Sequence, residues 1–202
     1  MGETAVSAAS RGSMPPQPWI ETYTGRRLSL AMDPRYHEFV LGDIAHGLAN
    51  ICRFGGQCRQ FYSVAEHCCH AADWLWEQEQ SAECSLCGLL HDAAEAYLGD
   101  MTRPIKMLPD CMPATTREHH WQRAIYATFR LSTAWPTWAE SVKSIDNQLC
   151  ALEALELMRF GGEGWGLPSI KGPAPVLKLW TPGQAEGEFL ARVAQYARQR
   201  GG

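Results

Sequence analysis

The chain lacks any run approaching the roughly 18 apolar residues that suggest a membrane span. Its opening stretch, MGETAVSAASRGSMPPQP, contains no apolar segment of the kind a secretory signal needs. It begins Met-Gly, but Val6 stands where a myristoylation signal requires Ser or Thr. A positive field is also missing: 18 Lys and Arg against 22 Asp and Glu give a net charge of −4, which argues against binding long polyanions. A small anionic substrate stays open, because a few local cations beside a metal ion can overcome a mildly acidic whole. No internal repeat is present. The eight Cys are scattered through segments that read as helices, so with no export signal they are expected to be reduced thiols in a cytoplasmic protein.

What is present is a helical chain. At 202 residues it is long enough for one domain with a substantial core and short for two. Residues 1–18, small and proline-punctuated, read as a disordered tail, and 19–202 as a single domain. WIETYT (19–24) and RLSL (27–30) alternate weakly around Gly25 and suggest a β-hairpin. From Gly42 onward the periodicity is helical. Asp43 can cap a helix running to about Cys52. Ser63 and Glu66 have the spacing of a capping box, each bonding the other's backbone N–H, ahead of a helix to about Trp76. A third helix is expected over about 82–98, stopping at Gly99. A fourth follows Pro113, and a fifth runs from about Trp138 to Phe160. The Gly- and Pro-rich stretch 161–183 reads as a long loop. Thr181-Pro182-Gly183-Gln184 then begins a last helix to about Gln199. The fold class is all-α, a helical bundle with a small N-terminal β-hairpin.

The chemistry concentrates in LLHDAAEAYLGDMTRPIK (89–106), where His91, Asp92 and Glu95 fall within one expected helical turn amid Leu89, Leu90, Ala93 and Ala94. Two carboxylates and an imidazole on a buried helix are costly unless paired or bound to a metal. Imidazole with carboxylate suits Mn, Fe, Co, Ni or Zn rather than Ca. Two adjacent residues cannot complete a site. The other candidates are His67, one turn inside the capped helix, and Asp146, beside a buried stripe of Val142, Ile145 and Leu149. Two imidazoles and two carboxylates leave coordination positions open for water and substrate, as a catalytic site requires.

At these residues the sequence resembles the HD-domain metal-dependent phosphohydrolases. The resemblance rests on His67, the doublet His91-Asp92 and the later Asp146, in the family's order. It also rests on the pattern HDxxExxxGDxxxPxK, filled by His91, Asp92, Glu95, Gly99, Asp100, Pro104 and Lys106. The segment 43–67 further resembles a small bacterial and phage branch that includes 5′-deoxynucleotidases and phage dATP triphosphohydrolases. The resemblance implies an HD-domain helical bundle binding one divalent metal (Mn, Co, Zn or similar) through His67, His91, Asp92 and Asp146. It implies that Glu95 and Asp100 orient or deprotonate the attacking water and contact the sugar. Arg53 would hold the α-phosphate, Phe54 line the nucleoside pocket and Lys106 neutralise phosphate charge. The expected reaction is hydrolysis of a 2′-deoxynucleotide at the α-phosphate, foremost dATP to deoxyadenosine and triphosphate. The alternatives are a 5′-deoxynucleotidase and a catalytically silent nucleotide sensor. The expected partners are a small-molecule nucleotide and further copies of the chain, with neither nucleic acid nor membrane. If the chain is phage-encoded, its place would be the host cytoplasm.

Plainer readings stand beside these. Arg53 can be a structural ion-pair residue and Phe54 plain core. His37, His46 and His70 read as core or surface histidines, and His119-His120 as a partly exposed helix face rather than a second metal site. Cys84-x-x-Cys87 and Cys68-Cys69-His70 superficially suggest redox and zinc motifs, but sit where buried Cys acts as a small hydrophobe. A zinc-dependent nucleic-acid module is disfavoured by the acidic charge.

Overall fold

The computed structural model describes residues 18–201, so the tail expected over 1–18 lies, but for Pro18, outside the described residues. A two-stranded antiparallel hairpin, β1 (Trp19–Glu21) and β2 (Arg27–Ser29), pairs Ile20 with Leu28 around a turn in which Gly25 adopts φ +80°. Helices follow: α1 (Leu41–Asn50), α2 (Val64–Glu79), α3 (Ala82–Leu89), α4 (Glu95–Leu98), α5 (Arg103–Lys106), α6 (Met112–Thr128), α7 (Ala134–Leu157) and α8 (Pro182–Arg200). No described helix is long and apolar enough to cross a membrane.

The bundle is built around α2, which packs against α1, α3, α7 and α8. From Val64 to Leu75 every α2 residue except Asp73 is buried, so this helix has no solvent face for most of its length. Small residues allow it. Ala65, Cys68, Cys69, Ala71 and Ala72 keep its surface low, and Gly88 of α3 sits where a Cβ would lie 2.3 Å from a Leu75 methyl. A similar close approach joins α1 to α4, where a Cβ on Gly47 would meet the Ala96 carbonyl at 2.8 Å.

Several local expectations are corrected. Asp43 does not cap α1. The N-cap is Val40, without a side-chain bond, and the Asp43 carboxylate turns outward to accept the Thr24 N–H (2.7 Å) and hydroxyl (3.0 Å), fastening the hairpin to the bundle. The capping box at α2 is half formed. Ser63 accepts the Glu66 N–H, but the Glu66 carboxylate instead takes three successive N–H groups from Lys178, Leu179 and Trp180 at 2.6–2.8 Å. Tertiary structure thus claims a side chain that local spacing assigned to a cap. α2 runs three residues further than expected, and α7 starts four residues earlier and ends three earlier. The cap of α8 forms as expected, with Thr181 and Gln184 bonding reciprocally. Cys52 and Cys58 lie outside the helices, Cys52 in a bridge to Ser63 and Cys58 in a bend.

The largest departure concerns 82–98, which is not one helix. α3 ends at Leu89, tight turns span Leu90–Ala94, and α4 begins at Glu95. Such a break frees backbone groups that need partners. Gln122 of α6 supplies them: its amide nitrogen donates to the Leu90 carbonyl (2.6 Å) and its oxygen accepts the Ala94 N–H (3.0 Å). Replacing Gln122 by Met keeps the volume and removes both bonds. We expect Gln122→Met to lower unfolding free energy by about 2–3 kcal/mol, measured by urea denaturation. A change under about 0.5 kcal/mol would show that the break does not depend on Gln122.

Candidate metal centre

The break after α3 aims the doublet. On a regular helix, adjacent side chains diverge by about 100°. The turn through Leu90–Ala94 instead brings His91 Nε2 within 3.3 Å of Asp92 Oδ2. α2 contributes His67, fully buried, whose Nε2 lies 3.2 Å from His91 Nε2 and 3.8 Å from Asp92 Oδ2. α7 contributes Asp146, whose Oδ1 lies 3.4 Å from His67 Nε2 and 3.8 Å from His91 Nε2. The four residues expected from sequence as ligands therefore converge on one point.

Proton placement makes this cluster a cation site. Behind His67, Nδ1 lies 2.6 Å from Glu153 Oε1. Behind His91, Nδ1 lies 2.6 Å from the Gly88 carbonyl oxygen. A carbonyl oxygen only accepts. Burial opposes charge on Glu153, but the Arg53 guanidinium and His67 outweigh it and hold the carboxyl below its usual range, so it too accepts. When both imidazoles are neutral, each donates its Nδ1–H backward and presents an Nε2 lone pair to the other. Those lone pairs, with two carboxylates beside them, demand a positive charge between them. Two nitrogens held about 2.0–2.1 Å from a common ion lie about 2.9–3.4 Å apart, from octahedral to tetrahedral angles, and the observed 3.2 Å falls within that span. The donor set fits a divalent metal. His67, His91 and Asp146 can hold an ion, and Cys68, His91 and Asp92 form an overlapping group behind it.

Without a metal ion, a proton meets the same demand for positive charge. Burial disfavours a charged His91, yet Asp92 beside it prevails and pushes the imidazole well above its usual range. Burial alone would raise Asp146, and the facing His67 and His91 reverse this, holding it well below. Asp92 is lowered against its burial by the same two rings.

Around this centre stand the other expected residues. Arg53 is buried between centre and core, its Nε donating to Glu153 Oε2 (2.9 Å) and its Nη1 3.7 Å from Asp92 Oδ2. The ion-pair reading of Arg53 thus describes its Nε. Neither Nη takes a hydrogen-bond partner among the described residues. Phe54 is half-buried, in the left-handed region (φ 56°, ψ 29°), with Trp165 6.0 Å from its ring; it is rim rather than core. Glu95 is buried, and burial with Asp92 and Asp100 pushes its carboxyl well above the usual range. Its Oε1 accepts from Lys106 at 3.3 Å and its Oε2 has no partner among the described residues. Asp100 is half-buried and raised by burial. Lys106 also donates to Glu118 at 2.7 Å.

Three participants escaped the sequence reading. Glu153 sits seven residues, two helical turns, beyond Asp146, and an acid inside the apolar run ALEAL was the available signal. Glu118 and Trp165 gave none, being an ordinary acid on a polar helix and an aromatic in a loop. His37, His46 and His70 find other partners, at the Ser29 carbonyl, Glu186 and Glu66 respectively. His119 and His120 are exposed. Cys68, Cys69, Cys84 and Cys87 are buried thiols.

Because Glu153 fixes the tautomer of His67, Glu153→Gln should weaken metal binding about 10–100-fold, read by competition against a chelator. Unchanged affinity would remove Glu153 from the centre's support.

No protein-family model matches the chain. The uncharacterized protein YfdR of Escherichia coli strain K12 is 32% identical over 188 residues, covering 90% of this chain and 97% of the relative. The uncharacterized protein RCAP_rcc00048 of Rhodobacter capsulatus is 32% identical over 199 residues, covering 86% of this chain and 93% of that protein. At this identity and coverage, the chain belongs to the family of YfdR and RCAP_rcc00048.

Proposed function

We propose that this chain is an HD-type, metal-dependent phosphohydrolase that cleaves the α-phosphate ester of a 2′-deoxynucleotide, foremost dATP to deoxyadenosine and triphosphate. The observation that carries the reading is the pair of imidazole Nε2 atoms facing each other at 3.2 Å with Asp92 and Asp146 beside them. A divalent ion there, Mn, Co, Zn or similar, supplies Lewis acidity that polarises the phosphoryl oxygen and makes water acidic enough to attack near neutral pH.

The chain's own groups account for the rest. Arg53, held at Nε by Glu153, has both Nη groups to offer the α-phosphate and the charge spread over its oxygens in the transition state. Glu95 takes a proton from the attacking water at its unpartnered Oε2, and its raised pKa brings it toward the operating pH, where a general base works best. Asp100, raised in the same direction, contacts the sugar near the departing 5′-oxygen. Phe54 borders the nucleoside pocket. Lys106 neutralises phosphate charge, although its engagement with Glu118 and Glu95 leaves it less free than a two-phosphate clamp would want. That engagement favours, as the second reading, a 5′-deoxynucleotidase acting on monophosphates.

A panel of ribo- and deoxynucleoside mono-, di- and triphosphates, assayed by chromatography with Mn or Co, tests the reading. We expect chelation to abolish turnover, the same metals to restore it, and dATP to yield triphosphate without dADP. Phosphate released from dAMP alone selects the second reading. Full turnover in a chelated sample shown by elemental analysis to be metal-free would refute both.

Glu95→Gln should differ in kind from changes at the ligands. Metal stays bound while turnover falls about 10²–10⁴-fold. Loss of metal from this variant would move Glu95 into the coordination sphere.

A further inference from the structure

Cys52 and Cys58 flank the loop that carries Arg53 and Phe54. Their sulfurs lie 3.5 Å apart, in hydrogen-bond contact, and both residues are half-exposed. Among the described residues no other two thiols make such a contact. We propose that this pair is a modification site: an intramolecular disulfide that forms by exchange with a low-molecular-weight disulfide and switches off the neighbouring site.

Both ends of the loop are anchored: beyond Cys58, the Arg59 N–H donates to the Leu157 carbonyl at 3.0 Å. Cys52 is fixed by a backbone bridge to Ser63, and the next residue's N–H donates to the Tyr62 carbonyl. Cys58 ends a turn in which Phe54, Gly55 and Gly56 all have positive φ (56°, 59° and 75°), a conformation that non-glycine residues adopt at a cost. Its thiol donates to the Arg53 carbonyl at 3.7 Å. A disulfide needs a sulfur separation of about 2.05 Å, so the sulfurs must close by roughly 1.5 Å. The turn between the two anchors, which begins at Arg53, gives way, and the hydrogen bond from the Cys58 thiol to the Arg53 carbonyl is lost. Both consequences fall on the residue whose guanidinium lies between Glu153 and Asp92.

The chemistry balances without any group from the metal centre. One cysteine thiolate attacks a sulfur of the small disulfide, forming a mixed disulfide and expelling one small thiolate. The second cysteine gives its proton to solvent and attacks the protein sulfur of that mixed disulfide, expelling the second thiolate. Two protein thiols lose two electrons, and one small disulfide becomes two thiols. Burial and the adjoining Cys52 push the Cys58 thiol up to about 11, which slows exchange near neutral pH. The closed ring is short, so the effect is one of position rather than of added stability.

The switching half rests on the reading of Arg53 as a substrate contact; disulfide formation does not. The full chain is incubated with glutathione disulfide or with dithiothreitol, its free thiols are blocked with N-ethylmaleimide, and tryptic peptides are mapped by mass spectrometry. Trypsin cuts after Arg35, Arg53 and Arg59, so Cys52 and Cys58 fall in different peptides, 36–53 and 54–59. We expect these two joined in the oxidised sample and separate after reduction. Turnover should fall about 10–100-fold on oxidation, as for a positioned group displaced by about 1 Å, and recover with dithiothreitol. Cys58→Ser should keep basal turnover and lose its sensitivity to the oxidant. Both peptides fully blocked under oxidation would overturn the proposal. Joined peptides with unchanged turnover would overturn the switch. The peptide map needs no activity, so it stands apart from any failure of the phosphohydrolase reading.

Discussion

His67 and His91 each send their Nδ1–H backward, one to the Glu153 carboxylate and one to the Gly88 carbonyl, and so turn their Nε2 atoms toward each other across 3.2 Å. In a neutral, metal-free interior that contact is repulsive, and the rest of the structure supports the arrangement that creates it. α2 is buried on nearly every side, which fixes the His67 ring. α3 ends at Leu89, which frees His91 to reach the Gly88 carbonyl and Asp92 to face the same point. α7 runs long enough to bring both Asp146 and Glu153 to the centre, one from each side of His67.

The same geometry sets the electrostatic problem. Asp92, Glu95, Asp100, Asp146 and Glu153 gather around Arg53 and Lys106, with Lys143 bonded to Asp146 from the rim. Carboxylates exceed cations; Glu95 and Glu153 are buried and the other three half-buried. Such groups must pair, bind a cation or take up a proton. Asp92, Asp146 and Glu153 stay ionised because imidazoles and Arg53 face them, while Glu95 has mainly acids for company and is pushed toward its protonated form. Groups of one chemical type are thus divided into ionised and protonation-prone members by surroundings alone.

One wall of the site depends on a distant anchor. Glu66 binds the N–H groups of 178–180, with Leu179 at φ +57° and His70 stacked on Trp180. This ties the return strand of the 161–181 loop to α2, one residue from His67. Burial opposes charge on Glu66, and His70 with the three N–H donors outweighs it. The loop so held carries Trp165 to the Phe54 ring, joining the end of the chain to the rim of the centre.

Much of this was legible in the residues. Helical periodicity, the Thr181 cap and the hairpin around Gly25 are local, and local spacing sufficed for them. The four residues expected as ligands stand out because buried imidazoles and carboxylates have few inexpensive explanations, and they do meet. What the sequence could not carry was competition between local and distant partners. Ser63 and Glu66 have capping-box spacing, but three loop N–H groups a hundred residues away offer Glu66 more than one backbone donor does. Residues 82–98 have continuous helical periodicity, and helix propensity alone would keep them continuous. Gln122, from another helix, makes the break tolerable by satisfying the Leu90 carbonyl and the Ala94 N–H. Glu153, Glu118 and Trp165 belong to the site only through packing. The sequence by itself determined which elements form and which side chains must find charge partners, because periodicity and burial cost are properties of short segments. Tertiary structure alone decided where the helix breaks, which nitrogen of each histidine faces inward and what stands behind it, because those depend on groups that meet only when the chain has closed.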